Sequence, residues 1–283
     1  MATLVDNTAG PAKVEIHPDN YKFLQDYIYR ESGIVIERDK HYLLEARLLP
    51  VAKKRELNSI NDLCGLLRAT AGPELKRQIV EAMTTHETLF FRDPGQFEAL
   101  KKVVLPPLMD MRRTSKRITI WSAAASSGQE SYSVAMMLLE MGLKDWNISI
   151  TGTDLSEQIL ARAREGKFSQ LEVNRGLPAP LLVKYFTRHG LDWQLKDEVR
   201  RMVNFRTFDL RKSMRTLGPF DIVLCRNVLI YFDQDTKKQI LEEIRGTLQS
   251  GGYLLLGGAE TTLCLADRFE RIQAHGSVVY KVV

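Results

Sequence analysis

The fold is decided by residues 117–133, RITIWSAAASSGQESYS. The apolar, β-branched run that ends at Ala123 predicts a buried strand. Small residues follow as far as Gly128, and they would let a ligand approach the backbone just before the amino end of a helix predicted over 128–141. A dinucleotide-binding fingerprint has three glycines where this loop has one, so the loop by itself fits a tight structural turn as well as a nucleotide site.

The alternation of strand and helix continues to the end of the chain. Further apolar or β-branched runs predict strands at 147–154, 203–209, 220–226, 252–258 and 277–283. Between most of these runs lie helical patterns, including those at 156–166 and 236–248. We therefore predict an α/β fold over residues 116–283, a doubly wound and mostly parallel sheet with helices on both faces.

One interval inside this domain breaks the alternation. Over about 177–202, two short runs surround His189-Gly190 and predict a small antiparallel β insertion. The insertion lies in a basic segment, residues 162–215, which has 13 Lys+Arg against six Asp+Glu, a net charge of +7 in a chain whose total is +5. A solvated surface without a partner, a nucleic-acid site and a site for an acidic protein would all carry such charge, so these alternatives stay open.

The chain before residue 116 has a helical period instead. Helices are predicted over 19–33, 41–56, 59–69 and 73–83. Pro50 is expected to kink or split the second of them. We predict three parts in this region, a flexible tail at 1–15, a helical N-terminal domain at 16–90 and an interdomain linker or helix at 91–115.

Composition excludes several classes of protein. The chain has 283 residues, 44% of them hydrophobic and 27% charged, which is typical of a folded protein of about two domains. No apolar stretch reaches the roughly 18 residues of a membrane span, and the start lacks the basic and apolar regions of a secretion signal. Cys64, Cys225 and Cys264 have no CxxC spacing, so we predict reduced thiols, no metal site and a cytoplasmic location.

Ligands of a doubly wound sheet bind outside the carboxyl ends of its strands, so the residues that end each run are candidates. Asp154 ends the second run, where a carboxylate can accept both hydroxyls of a ribose or cap the helix that follows, and both interpretations stay open. The third run ends in Asp209-Leu210 and the fourth in Arg226-Asn227. Polar groups after a buried strand need partners, which favours a site there.

One further segment joins the two predicted domains. In residues 83–93, MTTHETLFFRD, the polar His86, Thr88 and Arg92 flank an apolar run. We expect the apolar residues to pack inward and the polar ones to face a cleft. A polar linker without a catalytic function has the same pattern.

Together, these segments resemble a known family. The chain is similar to the bacterial chemotaxis receptor methyltransferases of the CheR type in the order of HETLFFR (86–92), WSAAASSGQESYS (121–133), Asp154, FDIVLCRNVLIYFD (220–233) and GGYLLLGGAE (251–260). The resemblance covers the chain from about residue 15 to its end. It implies a helical N-terminal domain followed by a class I S-adenosylmethionine-dependent methyltransferase domain, Rossmann-like, with a small β subdomain.

The resemblance also implies functional residues. Those that match the family's cofactor-binding positions are His86, Thr88, Arg92, Glu130, Asp154, Asp209, Leu210, Arg226 and Asn227. Arg226, Asn227 and Tyr231 match the segment that lines the methyl-transfer site. We predict that Arg92 and Tyr231 are catalytic, Arg92 by orienting the charged groups and Tyr231 by fixing the reacting end of the cofactor or substrate. Three residues depart from the usual family pattern: His86 stands where asparagine is usual, and Gln129 and Ser131 flank Glu130.

The implied reaction is transfer of a methyl group from S-adenosylmethionine to glutamate side chains of chemoreceptors, which yields glutamyl methyl esters and S-adenosylhomocysteine in sensory adaptation. The implied partner is the cytoplasmic helical bundle of these methyl-accepting receptors and not nucleic acid. Basic residues that would dock it, besides the basic segment, are Arg47, Lys53, Lys54 and Arg55. The short loop at 189–193 predicts an enzyme that needs no receptor pentapeptide, and we expect a monomer without membrane insertion.

Two alternatives come from other classes of protein. A nucleic-acid methyltransferase would suit the basic segment, but the chain lacks the N/D-P-P-Y/F tetrapeptide of amino-directed enzymes. A non-catalytic module that senses S-adenosylmethionine would suit the departures at His86, Gln129 and Ser131.

Overall fold

The computed structural model describes residues 15–70, 72–262 and 267–283. The chain divides into two compact units, Met1–Thr84 and Thr85–Val283. The tail predicted at 1–15, apart from Glu15, and Cys264 lie outside the described residues. Within the described ranges, no helix combines the length and the apolar character that crossing a membrane requires.

The described part of the first unit is helical. Its helices are α1 Pro18–Ser32, α2 His41–Lys53, α3 Ile60–Thr70 and α4 Pro73–Met83. Apolar side chains that recur at three- and four-residue spacing, such as Leu24 and Ile28, are fully buried in its core. α1 ends at Gly33, which has a left-handed φ of 76° that glycine adopts without strain, and the Gly33 N–H donates to the Tyr29 carbonyl.

Helix α2 is continuous through Pro50, so of the two predicted effects of this proline, a kink or a split, the split does not occur. Pro50 lacks an N–H, but it lies on the exposed face of the helix, where water can hydrate the carbonyl that loses its partner. Leu48 and Val51 are buried in the core on either side of it. Their burial stabilises the helix across the proline.

The second unit is built on a seven-stranded sheet. Its strands are β1 Arg117–Ala123, β2 Asn147–Asp154, β6 Val203–Thr207, β7 Phe220–Cys225, β8 Leu248–Leu256, β9 Phe269–Ala274 and β10 Ser277–Val282. In the order β6-β2-β1-β7-β8-β10-β9, neighbours are parallel as far as β8, and β10 is antiparallel to both β8 and β9. The predicted doubly wound, mostly parallel sheet is confirmed. Strand β9 was not predicted because exposed and polar side chains fill most of it.

Helices cover both faces of this sheet. They include α5 Pro94–Ala99, which continues through the π-helical segment Leu100–Val104 into α6 Leu105–Met111, and also α7 Gln129–Glu140, α8 Glu157–Glu165 and α12 Gln234–Thr247. Along β1, Ile118 and Ile120 belong to one buried cluster, and Trp121 and Ala123 belong to the other. Because successive side chains of a strand point to opposite faces, each cluster covers one face. Much of the region predicted as an interdomain linker or helix at 91–115 is helix, and it packs into this core.

A second, antiparallel sheet forms the predicted insertion. Its strands are β3 Lys167–Ser169, β4 Phe186–His189 and β5 Asp192–Leu195, in the order β3-β5-β4. The short helices that accompany it are α9 Gln170–Asn174, α10 Ala179–Tyr185 and α11 Asp197–Arg200. The small sheet thus begins before residue 177, where the insertion was predicted to start. β3 was not predicted because it has one buried side chain and no apolar run.

Residues 85–90 belong to the second unit, although the helical domain was predicted to extend to residue 90. Phe90 is fully buried, and its ring lies 5.0 Å from the ring of Phe168 and 5.8 Å from that of Phe186 in the small sheet. Gly176, with a φ of 89°, lies against Phe90, since a Cβ there would be 2.1 Å from the Phe90 carbonyl oxygen. This packing ties the start of the second unit into its core.

Candidate active site

The carboxyl ends of β1, β2 and β7 meet at one edge of the large sheet. Ala123, the last residue of β1, pairs with Thr153 of β2 on one side and with Cys225 of β7 on the other. The loops that follow these three strands therefore lie side by side. Four of the nine residues predicted to bind a cofactor lie at these strand ends or in the helix that follows β1, as expected for a doubly wound sheet: Glu130, Asp154, Arg226 and Asn227.

The loop after β1 is held by the carboxylate of Asp154. The N–H of Ser126 donates to Asp154 Oδ2 at 2.9 Å, and the N–H of Ser156 donates to Oδ1 at 3.0 Å. Ala124 and Ser126 have left-handed φ angles of 57° and 50°, which are uncommon outside glycine. The side chain of Ser156 caps α8, so the helix-capping interpretation of Asp154 was wrong.

Gly128 ends this loop where α7 begins. Its φ is 93°, and a Cβ would lie 2.9 Å from Tyr132 Cε2 and 3.1 Å from Phe205 Cζ. A side chain at this position would therefore be both strained and crowded. The result is a loop of small residues whose backbone lies close to the core beside Asp154.

Residues 86–91 are attached to the connection between β1 and α7. The Ser126 hydroxyl donates to the His86 carbonyl oxygen at 2.8 Å. The N–H of Phe91 donates to Ser133 Oγ at 3.0 Å. The segment that carries the predicted residues His86, Thr88 and Arg92 is therefore held at the same edge of the sheet.

The guanidinium of Arg226 is the centre of a buried network. The Arg226 side chain is 1% exposed; its Nη1 donates to Glu130 Oε2 at 2.9 Å, and its Nη2 donates to Asp93 Oδ2 at 2.7 Å and to the Arg92 carbonyl at 2.8 Å. Glu130 also accepts a hydrogen bond from Ser122 Oγ at 2.8 Å. Because two carboxylates share one guanidinium, the network has a formal charge of −1 and attracts a cationic ligand group.

The loop after β7 is held by Glu260. Its Oε2 accepts the N–H groups of Asn227 and Gly257, both at 2.7 Å. Its Oε1 accepts those of Val228 at 2.9 Å and Leu229 at 2.7 Å. Asn227 has a left-handed φ of 58°. One carboxylate thus fixes the start of the loop and joins it to the loop after β8.

Other predicted residues of this region are half-buried. Arg92, Thr88 and Tyr231 all have partly exposed side chains. The Arg92 guanidinium donates to the Glu87 carbonyl at 3.4 Å. Tyr231 ends the 3-10 turn Leu229–Tyr231, which begins at the last residue whose N–H Glu260 accepts. These side chains retain surface that a ligand can contact.

Asp209 and Leu210, in contrast, have strong contacts within the protein. The Asp209 carboxylate accepts the backbone N–H of Arg211 at 3.0 Å and its guanidinium at 2.7 and 3.0 Å. Leu210 is buried in the core cluster that contains Trp121 and Met214. A ligand contact of the Asp209 carboxylate would compete with this ion pair.

The four residues predicted to dock the receptor do not form one free surface. In the first unit, the Arg47 guanidinium donates to the carbonyls of Met83, at 2.6 Å, and Thr84, at 3.3 Å, at the end of α4. The Arg55 guanidinium donates to a side chain of the same helix, Gln78 Oε1, at 3.0 and 3.2 Å. Lys53 and Lys54 are exposed. Two of the four therefore connect helices of their own unit.

Eight of the thirteen cations in the basic segment at 162–215 form ion pairs. Within the described residues these pairs are Arg162–Glu172, Arg164–Glu157, Lys167–Asp192, Arg175–Glu87, Lys184–Glu140, Arg200–Asp197, Arg201–Asp197 and Arg211–Asp209. The other five cations are exposed and have no ion pair among those residues; they are Arg188, Lys196, Arg206, Lys212 and Arg215. The net charge of the segment therefore overstates the charge that it presents to a partner.

Among the described residues, the site has no reactive thiol, and no group of three or more His, Cys, Asp or Glu side chains is placed to bind a metal ion. Cys225 ends β7 beneath the edge of the sheet. Burial raises the pKa of its thiol well above the ordinary value of 9.0, and the negative charges of Glu260 and Glu130 raise this pKa further. A thiol that stays protonated at neutral pH is a poor nucleophile.

Sequence reasoning missed Asp93, Ser126 and Glu260. All three stand inside or directly beside the quoted motifs, yet none was assigned a role. Ser126 acts through its backbone N–H and its hydroxyl, and small loop residues carry no signal for either contact. The carboxylates of Asp93 and Glu260 reach residues far away in the sequence, and no local pattern indicates which loop a carboxylate reaches.

Comparison with known proteins gives two matching family models. "CheR methyltransferase, all-alpha domain" matches residues 19–84, and "CheR methyltransferase, SAM binding domain" matches residues 86–278. The chain belongs to the CheR methyltransferase family. Chemotaxis protein methyltransferase 1 of Vibrio cholerae serotype O1 is 39% identical over 275 residues, 95% of this chain and 98% of that protein. Chemotaxis protein methyltransferase 1 of Pseudomonas aeruginosa is 38% identical over 268 residues, 93% of this chain and 97% of that protein.

Membership of the CheR family confirms the class I methyltransferase fold and S-adenosylmethionine as the cofactor. The chain is an S-adenosylmethionine-dependent protein-glutamate methyltransferase. The residues at the edge of the sheet fit this cofactor. Its sulfonium and ammonium groups are cationic, which suits the formal charge of −1 around Arg226. The loop of small residues beside Asp154 suits close approach of a nucleoside.

Proposed function

We propose that this CheR-family enzyme methylates glutamate side chains in the cytoplasmic helical bundle of chemoreceptors, as part of sensory adaptation. The products would be glutamyl methyl esters and S-adenosylhomocysteine. The observation that carries the proposal is the network around Arg226, in which Glu130 and Asp93 share one buried cation at the edge of the sheet where cofactors bind. We also propose that the enzyme is cytoplasmic and that it is a monomer.

The chemistry needs orientation more than it needs a catalytic base. When bound, S-adenosylmethionine supplies a methyl group on a positively charged sulfur. A receptor glutamate has an ordinary pKa of about 4.3 and is already ionised at neutral pH, so no proton has to be removed. The bound cofactor would supply the methyl group to the carboxylate oxygen of that glutamate, with a C–O bond formed, the C–S bond broken and its electron pair left on sulfur. The protein must align the two groups and exclude water.

The proposed roles follow the geometry of the edge. Asp154 would accept hydrogen bonds from the ribose hydroxyls of the cofactor. Glu130, oriented by Arg226, would accept hydrogen bonds from its ammonium group. Arg92 would bind the cofactor's carboxylate and orient the charged groups, and Tyr231 would fix the reacting end. His86, Thr88, Asp209, Leu210 and Asn227 remain proposed cofactor contacts, of which the Asp209 carboxylate would have to share its oxygens with Arg211.

Docking of an acidic receptor helix is proposed to depend on exposed cations that have no ion pair within the described residues. These include Lys53 and Lys54 in the first unit and Arg188, Lys196, Arg206, Lys212 and Arg215 in the second. Arg47 and Arg55 support the helices behind the first pair. If charge drives docking, added salt should lower the methylation rate steeply and leave S-adenosylmethionine binding nearly unchanged.

We propose that the enzyme needs no receptor pentapeptide, and the short turn in the small sheet supports this. β4 ends at His189 and β5 begins at Asp192, so a tight turn at Gly190-Leu191 joins them and adds no loop that would enclose a peptide. We expect no micromolar binding of such a peptide by titration calorimetry. Binding at that level would remove this part of the proposal.

One assay tests the central proposal. The enzyme is incubated with methyl-labelled S-adenosylmethionine and membranes that contain chemoreceptors of the same cell, and the labelled product is treated with mild base. Release of labelled methanol is expected, because a carboxyl methyl ester hydrolyses in mild base. A base-stable label on nucleic acid would support the nucleic-acid alternative instead, and the absence of any transfer would support a sensing module.

A further inference from the structure

Glu260 is not one of the predicted site residues, although its side chain binds the backbone of two loops of the active site. Its two oxygens accept four N–H groups, three from the consecutive residues 227–229 and one from Gly257. All four distances lie between 2.7 and 2.9 Å, the range of charge-assisted hydrogen bonds. A carboxylate in this arrangement organises the main chain of two loops together.

The position of these N–H groups explains why they need such a partner. β7 ends at Cys225, and its ladder pairs with β1 and β8 end at the same residue. The next N–H groups therefore have no strand to donate to. Glu260 replaces that strand and satisfies them. It also faces the amino end of the 3-10 turn Leu229–Tyr231, where free N–H groups favour a negative charge.

The consequence for the active site lies in the residues on either side. Asn227 has the left-handed φ of 58°, a conformation that the hydrogen bonds of Glu260 can maintain. Arg226, whose side chain holds Glu130 and Asp93, comes directly before it. Tyr231 comes at the end of the turn that follows. Glu260 therefore controls the direction of the chain between two predicted site residues while its own hydrogen bonds go to backbone.

A glycine makes this contact tight. A Cβ on Gly257 would lie 2.7 Å from Asn227 Nδ2, 2.7 Å from Glu260 Oε2 and 2.9 Å from the Asn227 nitrogen. A Cβ on the neighbouring Gly258 would meet nothing within 4 Å. Gly257 is thus required by the close approach of the two loops, and Gly258 offers a matched position without that constraint.

We propose that Glu260 is a positioning residue for methyl transfer, which sets the geometry of Arg226, Asn227 and Tyr231 through the backbone of their loop. The proposal rests on the methyl transfer proposed above. It is tested by Glu260→Gln, whose amide keeps one acceptor oxygen and turns an NH₂ group toward two of the four donors. A second pair, Gly257→Ala with Gly258→Ala as control, pushes the same loops apart without changing charge.

For the folded fraction of each variant, kcat, KM for the receptor and the affinity for S-adenosylhomocysteine are measured. Glu260→Gln and Gly257→Ala should each weaken cofactor binding about ten-fold and lower kcat by more than that, with KM for the receptor within about two-fold of wild type. Gly258→Ala should match wild type. A purely structural role would lower the folded fraction and leave these constants unchanged.

The readouts separate this proposal from the proposed function. Cofactor affinity within about two-fold of wild type in both folded variants would overturn the role of Glu260, whatever the reaction is. If wild type forms no methyl ester, the proposed function fails, and the affinities still decide whether Glu260 positions the cofactor-binding loop. If Glu260→Gln does not fold, Gly257→Ala against Gly258→Ala decides in the same way.

Discussion

In two neighbouring loops of the active site, a side-chain carboxylate accepts backbone N–H groups and fixes the loop. The two carboxylates differ in their place in the fold, one at the end of a strand and one in a loop. The loop after β1 is held by Asp154, the last residue of the adjacent strand β2. The loop after β7 is held by Glu260, which stands beyond the end of β8 and folds back. The first carboxylate is predictable from the strand pattern, and the second is not. The position of a residue that ends a predicted strand can be inferred from the sequence, because strand ends lie at the edge of the sheet. The position of a loop residue such as Glu260 cannot be inferred in this way.

The largest expected effect tests whether the loop after β7 needs its buried cation as well as Glu260. Arg226→Met would leave Glu130 and Asp93 without their shared partner. We expect a loss of about 3 kcal/mol in the free energy of unfolding, because the Glu130 carboxylate, 13% exposed, is left uncompensated, whereas Asp93, 48% exposed, can be hydrated. Urea unfolding measures it, and Arg206→Met, at an exposed arginine, should cost less than about 0.5 kcal/mol. Equal costs in the two variants would show that the Arg226 network contributes little.

The next prediction concerns the segment attached to both loops. Arg92→Ala removes the guanidinium and keeps the backbone carbonyl that binds Arg226. If Arg92 orients charged groups during transfer, kcat should fall about 100-fold, and cofactor affinity should fall much less. Steady-state kinetics together with calorimetry separate the two quantities. Small and equal losses in both would contradict the proposed role.

A smaller effect is expected at the loop after β1. Asp154→Asn keeps one acceptor oxygen and places an NH₂ group against the N–H of either Ser126 or Ser156. Affinity for S-adenosylhomocysteine should fall about 10- to 100-fold, since hydrogen bonds to a charged group are lost. Asp209→Asn is the comparison, because its carboxylate is already paired with Arg211. If Asp209→Asn weakens binding as much as Asp154→Asn, the ranking of these two carboxylates is wrong.

The smallest expected effect is a pH dependence of the free energy of unfolding, caused by Cys225 at the end of β7. The pKa of Cys225 is raised by burial and then by Glu260 and Glu130, so the folded chain keeps a proton that the unfolded chain releases above pH 9.0. This contribution to stability is complete below pH 9.0 and is lost as pH rises beyond it. We expect wild type to lose about 1 kcal/mol more than Cys225→Ala between pH 8 and pH 10 in urea unfolding. Parallel pH profiles of the two proteins would contradict this.

Much of the fold follows from local pattern. β1 and β2 have the predicted bounds, because both are rich in β-branched residues and lie between two other strands. β9, at the edge, and β3, with three residues, lack such runs and were missed. The domain boundary differed because Phe90 is an apolar residue whose partners, Phe168 and Phe186, lie far away in the sequence.

The site was predictable where chemistry and strand ends coincide. Asp154, Glu130 and Arg226 do meet at one edge of the sheet, but the sequence could not show that Arg226 pairs with Glu130 and Asp93. Charge counting failed in the same way for the segment at 162–215. Several of its cations pair with Glu87, Glu140 or Glu157, which lie outside the segment, so a count along the chain cannot reveal the neutralisation.

The burial of Phe90 sets the place at which parts of this enzyme can be exchanged with those of a relative. A chimaera joined at residue 90 would pair the aromatic ring of one parent with the pocket of the other, and the backbone contact at Gly176 leaves no room for adjustment. A junction between Thr84 and Thr85 keeps that ring with its own pocket. Recombination among such enzymes is therefore expected to preserve residues 85–93 together with the methyltransferase domain that follows.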